Sequence, residues 1–409
     1  MDWTLGRYLS LSLFWLGVSL HWTALLSIVL QFQVDRFAPE ASRGTYLALL
    51  AGAGAAVSAM VQISVGYLSD RTRSRWGRRR PYLVAGVLLN VGALLAMGAA
   101  GSYGQVLAAF LAIQLVFNVA NGPYQALLPD LVPVRLHGTA SMWMGIFQHL
   151  GQALGPLLAD RLIHSEGGPM RLMALIAAVL VSLMAVTVLA VREPSTRDLP
   201  PQPVRLGEVF AIPLKPYPDF VRLLLSRMVI NLGVYTALDF LYFYVRYTLG
   251  NTDPGATGWL LVSMLVGGFV GGIPVGPLAD RWSKVRLIYG CNAVTALAAV
   301  LFLLAGDYAQ ALVAGCVLGM GYGAFAVVDW ALACSLMPPG GSARYMGVWN
   351  LTAVLPQILA PAVAGPLADL LQRELGSGAA FRYPMAFVLV YLAAGTWLLS
   401  GIRSERSQM

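Results

Sequence analysis

Long apolar runs separated by short polar segments dominate the chain. A helix that crosses the hydrocarbon core of a membrane needs about 20 apolar residues. Continuous runs that end at Gly, Pro or charge clusters indicate helices, because the strands of a membrane barrel alternate apolar and polar positions. The pattern predicts an all-α membrane protein with twelve transmembrane helices at residues 8–31, 44–68, 81–101, 104–128, 139–163, 170–191, 220–247, 257–279, 286–305, 308–336, 346–371 and 382–402.

Composition supports a membrane protein and disfavours an enzyme. Hydrophobic residues make up 58% of the chain and charged residues only 11%, which leaves no room for a large soluble domain. Cys291, Cys316 and Cys334 lie inside predicted helices without metal-ligand spacing, so they are interpreted as small core residues and no metal site is expected. No phosphate-binding glycine loop and no motif-supported catalytic grouping is found, and no cofactor is expected.

The distribution of basic residues predicts the orientation. With the N-terminus inside, nineteen Lys and Arg residues fall on inside segments, including Arg403 and Arg406, and seven fall outside. Cytoplasmic loops of membrane proteins carry this excess, so both termini are expected in the cytoplasm. The protein itself is expected in the cell (inner) membrane. The net charge of +8 then reflects contact with anionic lipid rather than nucleic acid.

Two sequence echoes indicate an internal repeat. "GYLSDR" at Gly66 and "GPLADR" at Gly276 are separated by 210 residues, and so are "GPLLAD" at Gly155 and "GPLAD" at Gly365. Between the repeats lies a stretch rich in Pro and charge. We therefore expect a six-helix half at 1–191, a cytoplasmic linker at 192–219 and a second six-helix half at 220–409, the architecture of an alternating-access transporter.

The loop "GYLSDRTRSRWGRRRPY", from Gly66, resembles the signature loop of the major facilitator superfamily. The variant is that of the glycoside-pentoside-hexuronide symporters and sucrose transporters, and "NVANGPYQALLPDLVP" and "YMGVWNLTAVLPQILAP" agree with it. The resemblance extends over essentially the whole chain. It implies the twelve-helix fold of that superfamily and a sugar or glycoside as the transported solute, with the protein acting as a monomer.

The resemblance also implies a cytoplasmic gate. Asp70 and Asp280 end the second helix of each half, where they are expected to pair with arginines and to face the N-terminus of a neighbouring helix, whose dipole favours an anion. Gly66 is expected to permit close packing, Arg71 to bond across the loop, and Arg79 to sit with its neighbours at the lipid headgroups. Alternatively, the arginines only set topology. The implied gate residues are Gly66, Asp70, Arg71, Arg78, Asp280 and Arg281.

Polar side chains inside the predicted helices are the candidate solute-binding residues, because each is costly in hydrocarbon unless it faces the protein interior. In the seventh helix, positions 227, 231, 235, 239 and 242 share one face. Amide, carboxyl and aromatic side chains suit a neutral sugar. Alternatively, such residues only form hydrogen bonds between neighbouring helices. The candidates are His21, Trp22, Gln114, Asn118, Gln148, Gln152, Asn231, Tyr235, Asp239, Tyr242, Asp329, Trp330 and Asn350.

Departures from the family pattern bear on ion coupling. Asn118 stands where plant sucrose transporters carry an aspartate, and the second helix has no carboxylate for sodium. Asp239 is therefore the first candidate proton carrier, Asp329 the second and His21 the third. Facilitated diffusion and multidrug export remain alternatives. Ser335 stands where relatives commonly carry an aspartate, so the resemblance predicts no complete second gate.

Overall fold

The structure is a computed structural model that describes residues 3–253, 255–375 and 381–402. Within these ranges all regular elements are helical and no strand occurs, as the apolar runs predict. Arg403 and Arg406, which contributed to the predicted orientation, lie outside the described residues.

Each predicted span overlaps one helix of the structure. These are α1 Leu5–Phe37, α2 Arg43–Arg71, α3 Arg80–Gly98, α4 Tyr103–Leu131, α5 His137–Ile163, α6 Gly168–Ala190, α7 Pro218–Thr248, α8 Ala256–Arg281, α9 Lys284–Leu304, α10 Tyr308–Ser335, α11 Ser342–Leu375 and α12 Tyr383–Leu399. Ten helices in the described ranges are long and apolar enough to cross a membrane. The exceptions are α5 and the short apolar α12, so the count of twelve spans stays a prediction.

Local sequence explains where several helices begin. The side chains of Ser102, Ser283 and Asp307 accept hydrogen bonds from backbone N–H groups in the first turns of α4, α9 and α10. Such caps satisfy donors that a helix start leaves without a partner. Prolines in the first turns of α3, α6, α7 and α12 lose no helical hydrogen bond there.

The chain divides into two compact units. Unit 1 comprises residues 1–132, 146–212 and 338–348, and unit 2 comprises residues 133–145, 213–337 and 349–409. In unit 1, α3 packs against α4 and α6, and α2 packs against α4. In unit 2, α10 packs against α8 and α9, and α7 packs against α12. The beginning of α11 thus belongs to unit 1, and the beginning of α5 belongs to unit 2.

Candidate functional site

A buried ion triad lies at the end of α2 in unit 1. The Arg79 guanidinium contacts the Asp70 carboxylate at 2.7 Å and the Asp130 carboxylate at 2.8 Å, and it donates to the Ser69 hydroxyl at 2.9 Å. Burial disfavours the charged form of Arg79, but Asp130 and Asp70 outweigh that effect and raise its pKa. The expectation that Arg79 lies at the lipid headgroups is wrong, because two carboxylates draw it into the protein, where its side chain is 1% exposed.

The same Asp70 carboxylate caps the beginning of α11. It accepts the backbone N–H groups of Ala343 at 3.2 Å and Arg344 at 3.1 Å. A carboxylate is favoured there because it neutralises the positive end of the helix dipole. Gly66 lets α2 approach this turn, since a Cβ atom at that position would lie 2.6 Å from the Ala343 carbonyl oxygen. Both placements are those expected from the sequence, while the gating role remains untested.

Arg71 differs from its expected geometry. Its guanidinium lies 3.5 Å from the centroid of the Tyr67 ring, one turn back on α2, and donates to the Tyr67 carbonyl at 3.3 Å. The Glu208 carboxylate lies 3.9 Å away. Arg71 therefore packs along its own helix rather than bonding across the loop, because an aromatic face and a carbonyl are available nearer to it.

Residues 193–208, here called the linker strap, are bound to the loop that joins α2 to α3. The Glu193 carboxylate accepts the backbone N–H groups of Arg78 at 2.6 Å, Arg79 at 3.0 Å and Arg80 at 3.2 Å, at the beginning of α3. Burial raises the pKa of the Glu193 carboxyl, and these N–H groups oppose the rise. The strap thus supplies the anionic cap of α3.

Further contacts extend this attachment along the strap. The Thr196 hydroxyl donates to the Thr72 carbonyl at 3.0 Å and accepts the Ser74 N–H at 3.1 Å. At the other end, the Tyr67 hydroxyl accepts the Arg205 N–H at 3.1 Å. The Arg344 guanidinium donates to the Glu208 carbonyl. Within unit 1, the strap therefore contacts the α2–α3 loop, α2 and the beginning of α11.

Unit 2 repeats the helix cap without the ion triad. The Asp280 carboxylate accepts the N–H groups of Gly138 at 2.6 Å and Thr139 at 3.0 Å, at the beginning of α5. In the part of the chain that the structure describes, Asp280 has no ion-pair partner. Ser335, at which the resemblance predicted an incomplete second gate, lies with its hydroxyl 3.3 Å from the His137 Nδ1 atom. Asp70 and Asp280 occupy equivalent positions in the two sequence repeats but differ in their charge partners. Arg281, the last residue of α8, is exposed.

A buried amide cluster joins α2 and α4 in unit 1. The Gln62 side-chain amide donates to the side-chain oxygen of Asn118 at 2.7 Å. The Asn118 side-chain amide in turn donates to the side-chain oxygen of Gln114 at 3.2 Å. Asn118 and Gln114 were expected to be site residues. Gln62 was missed, although its spacing of four residues from Ser58, with which it also bonds, indicated a polar face on α2.

His21 is packed among aromatic rings in unit 1. Its imidazole stacks on Phe117 at a centroid distance of 4.4 Å, and Trp22 meets both rings edge-on. Both His21 ring nitrogens are buried and lack a hydrogen-bond partner within the described ranges. The imidazole therefore makes aromatic contacts, and its role as the third candidate proton carrier stays a prediction.

An ion pair is buried in unit 2 between α7 and α10. Arg227 donates to the Asp329 carboxylate, and these side chains are 13% and 1% exposed. The guanidinium also lies 4.0 Å from the centroid of the Trp349 ring on α11, and Trp330 meets that ring edge-on. Arg227 and Trp349 were not among the expected site residues, although Arg227 shares a helix face with Asn231.

Hydrogen bonds continue from this pair along α7. The Asn231 amide donates to the Thr352 carbonyl at 3.0 Å, and its oxygen accepts the Tyr322 hydroxyl at 3.1 Å. One turn further, the Tyr235 hydroxyl accepts the Gln357 amide at 3.2 Å. Positions 227, 231 and 235 of the face expected on α7 therefore form a polar seam with α10 and α11, which does not include Asp239 or Tyr242.

The remaining expected residues differ in their exposure. Gln148 and Asn350 are half-buried, and among the described residues no hydrogen bond joins Gln148 to Asn118. Gln152, Asp239 and Tyr242 are exposed. Their roles remain predictions.

Comparisons with known proteins agree with this architecture. Residues 7–361 and 224–408 match the family model described as Major Facilitator Superfamily. The chain is 24% identical to sucrose transport protein SUT1 of Oryza sativa subsp. japonica over 98% of its own length and 89% of that protein. It is 23% identical to the multidrug efflux pump Tap of Mycolicibacterium fortuitum, over 56% of each protein. The crystal structure of the human organic anion transporter MFSD10 superposes with a TM-score of 0.70 at 16% identity, covering 96% of this chain and 98% of that one.

Proposed function

Because the chain belongs to the Major Facilitator Superfamily, and is therefore a multi-pass membrane transporter, we propose that it carries a neutral sugar or glycoside in symport with protons. It does so as a monomer, by alternating access, in the cell (inner) membrane. The proposal includes twelve spans with both termini in the cytoplasm, as the distribution of Lys and Arg predicts. The near full-length similarity to a sucrose transport protein supports the sugar class.

The polar seam of α7, α10 and α11 is the observation that carries this proposal. It brings amide, phenol and indole groups together within one unit, including Asn231, Tyr322, Tyr235 and Gln357. Sugar hydroxyls exchange hydrogen bonds with such groups, and sugar C–H faces cover aromatic rings. A solute that enters the seam replaces bonds that the side chains now make with one another.

Two carboxylates are candidates for proton transfer. Asp329 already has a cationic partner in Arg227, so its charge is compensated without a proton. Asp239 is exposed and has no ion-pair partner in the described ranges. An unpaired carboxylate inside a membrane helix gains more from protonation than a paired one. Asp239 therefore stays the first candidate carrier and Asp329 the second, and sodium coupling is not expected.

Uptake of radiolabelled sugars by proteoliposomes tests the proposal. The purified chain is assayed with a panel of mono-, di- and modified sugars, with and without an inward proton gradient, and protein-free liposomes are the control. We expect gradient-driven accumulation of at least one sugar. Equilibration without accumulation would instead make the protein a uniporter, and no uptake of any sugar would reject the sugar class.

Multidrug export is the second candidate, favoured by the similarity to the efflux pump Tap. An exporter needs a binding surface that accepts apolar cations of various shapes. Inverted proteoliposomes with an outward-acting proton gradient test it, since an exporter would then concentrate a fluorescent cationic dye. Dye accumulation without sugar uptake would favour this function.

A further inference from the structure

A small basic pocket lies between the α2–α3 loop and the linker strap, wholly within unit 1. Its volume is about 150 Å³. One side consists of the end of α2 and the loop, and the other side consists of the strap. The lining residues on the strap are Leu199, Pro200 and Gln202.

The walls of this pocket are held in place by hydrogen bonds. The Arg73 guanidinium donates twice to the Arg197 carbonyl, at 3.0 and 2.6 Å. The Thr196 N–H donates to the Ser74 carbonyl at 3.1 Å, in addition to the hydroxyl bonds described above. A site whose walls are already fixed loses little conformational entropy when a ligand binds.

The pocket carries an excess of positive charge. Arg71, Arg73 and Arg78 line it, and the carboxylate in the lining, Asp70, is occupied by Arg79 and by two backbone N–H groups. Arg71 Nε is buried without a hydrogen-bond partner, while the rest of its guanidinium donates to the Tyr67 carbonyl and lies 3.9 Å from the Glu208 carboxylate. Arg78 lines the pocket and takes part in no ion pair within the ranges that the structure describes. Carbonyl oxygens and the more distant Glu208 carboxylate compensate Arg71 and Arg73 only in part, so three guanidinium groups around one small volume still favour an anion.

Phosphate is the anion that these groups fit. Guanidinium groups match the geometry of phosphate oxygens through paired N–H donors. The pocket adjoins Arg71, the last residue of α2, and the loop that leads into α3, so it lies at the end of a helix that is long and apolar enough to cross a membrane. On the side expected to be cytoplasmic, anionic phospholipids supply phosphate at high local concentration.

We propose that this pocket binds a phosphate group, which either an anionic phospholipid headgroup or a soluble phosphate supplies. The bound group contacts loop arginines on one side and the strap on the other, so it holds the strap against the loop. Since the strap also contacts Tyr67 and Arg344, occupancy stabilises the end of α2 that carries the gate residues. This binding does not depend on which solute the protein carries.

Native mass spectrometry of the full chain in detergent tests the proposal. Phosphatidylglycerol and phosphatidylcholine are offered separately, and inorganic phosphate is added as a competitor. The variant R73Q/R78Q removes two pocket charges, while R135Q/R286Q removes the same charge from predicted cytoplasmic segments outside the pocket. We expect the pocket variant to retain phosphatidylglycerol about 30-fold less than wild type, and the control to retain it as wild type does.

The competitor distinguishes the two sources. Retained phosphatidylglycerol that resists inorganic phosphate identifies the lipid, and binding of inorganic phosphate without lipid retention identifies a soluble phosphate. Equal losses in both double variants, or no binding of either probe, would overturn the proposal. Because the loss of Arg73 can loosen the strap itself, Gln202→Glu provides a second variant, which repels phosphate while keeping every arginine; unchanged binding to this folded variant would also reject the site.

Discussion

At the scale of single residues, the informative groups are buried charges that neutralise one another. Arg227 and Asp329 come from α7 and α10 and meet where both side chains are almost fully enclosed. Removing one member of such a pair leaves the other charge buried and uncompensated, whereas removing both charges leaves no uncompensated charge. The single variant is therefore expected to lose more stability than the double variant.

Asp329→Asn is expected to destabilise the protein by about 3–5 kcal/mol, because Arg227 is left unpaired. The double variant R227Q/D329N should recover most of that loss. Thermal unfolding in detergent measures both. Asp35→Asn, at an exposed ion pair with Arg43 at 3.0 Å, is the matched control and should change stability by about 0–1 kcal/mol. A double variant no more stable than the single would contradict the pairing.

At the scale of elements, the beginning of a helix is the recurring feature. The starts of α3, α5 and α11 each place backbone N–H groups against a carboxylate, supplied by Glu193, Asp280 and Asp70. Each carboxylate lies more than a hundred residues from the helix that it caps. These contacts tie separate parts of the chain together at three points.

Glu193→Gln is expected to weaken the docking of the linker strap by about 0.5–2 kcal/mol, since an amide has one acceptor oxygen and no charge for the start of α3. Hydrogen exchange should become faster in peptides covering residues 72–80 and 193–199. Glu166→Gln, at an exposed position after α5, is the control. If exchange in those peptides matches wild type, the cap contributes nothing to strap docking.

Asp70→Asn should free the start of α11, because the neutral amide loses its attraction to Arg79 and to the helix dipole. We expect faster hydrogen exchange at residues 342–348. We also expect the conformational equilibrium of the protein to shift toward inward-open states. Asp198→Asn, exposed on the linker strap, removes the same charge as a control. Exchange at residues 342–348 that is no faster than in the control would show that Asp70 does not hold this turn.

The sequence was sufficient for the features that depend on local pattern. Apolar length predicted where the helices lie. The placement of Asp70 and Asp280 against helix starts is not local, since the Asp70 carboxylate caps a helix 273 residues away, and it was expected from the signature loop that the sequence resembles. Arg79 could not be distinguished from its neighbours, because its burial depends on Asp130, 51 residues away. Gln62 and Trp349 were missed for the same reason: each becomes part of a site only through a partner on another helix.

At the scale of the whole molecule, the two units do not coincide with the two halves of the chain. Unit 1 includes residues 338–348 from the second half, and unit 2 includes residues 133–145 from the first. A transport cycle changes conformations rather than single contacts, so the proposed coupling of solute to protons belongs to the scale of the whole protein.

Asp239→Asn is expected to abolish accumulation of sugar driven by a proton gradient while preserving exchange between equal pools. The amide cannot take up or release a proton, but it can still bond to a hydroxyl. Counterflow and gradient-driven uptake in proteoliposomes measure the two activities separately. Asp253→Asn, exposed in the segment between α7 and α8, is the control. Accumulation equal to wild type would exclude Asp239 as the carrier.

The inclusion of residues 338–348 in unit 1 has a consequence for the order of events on the ribosome. Domains usually fold as their own residues emerge, starting from the N-terminus. Here the Asp70 carboxylate can accept the N–H groups of Ala343 and Arg344 only after those residues are synthesised, 273 and 274 residues later in the chain. Until then the carboxylate has its arginine but no helix to cap. Unit 1 therefore reaches its final form only after most of unit 2 has been synthesised.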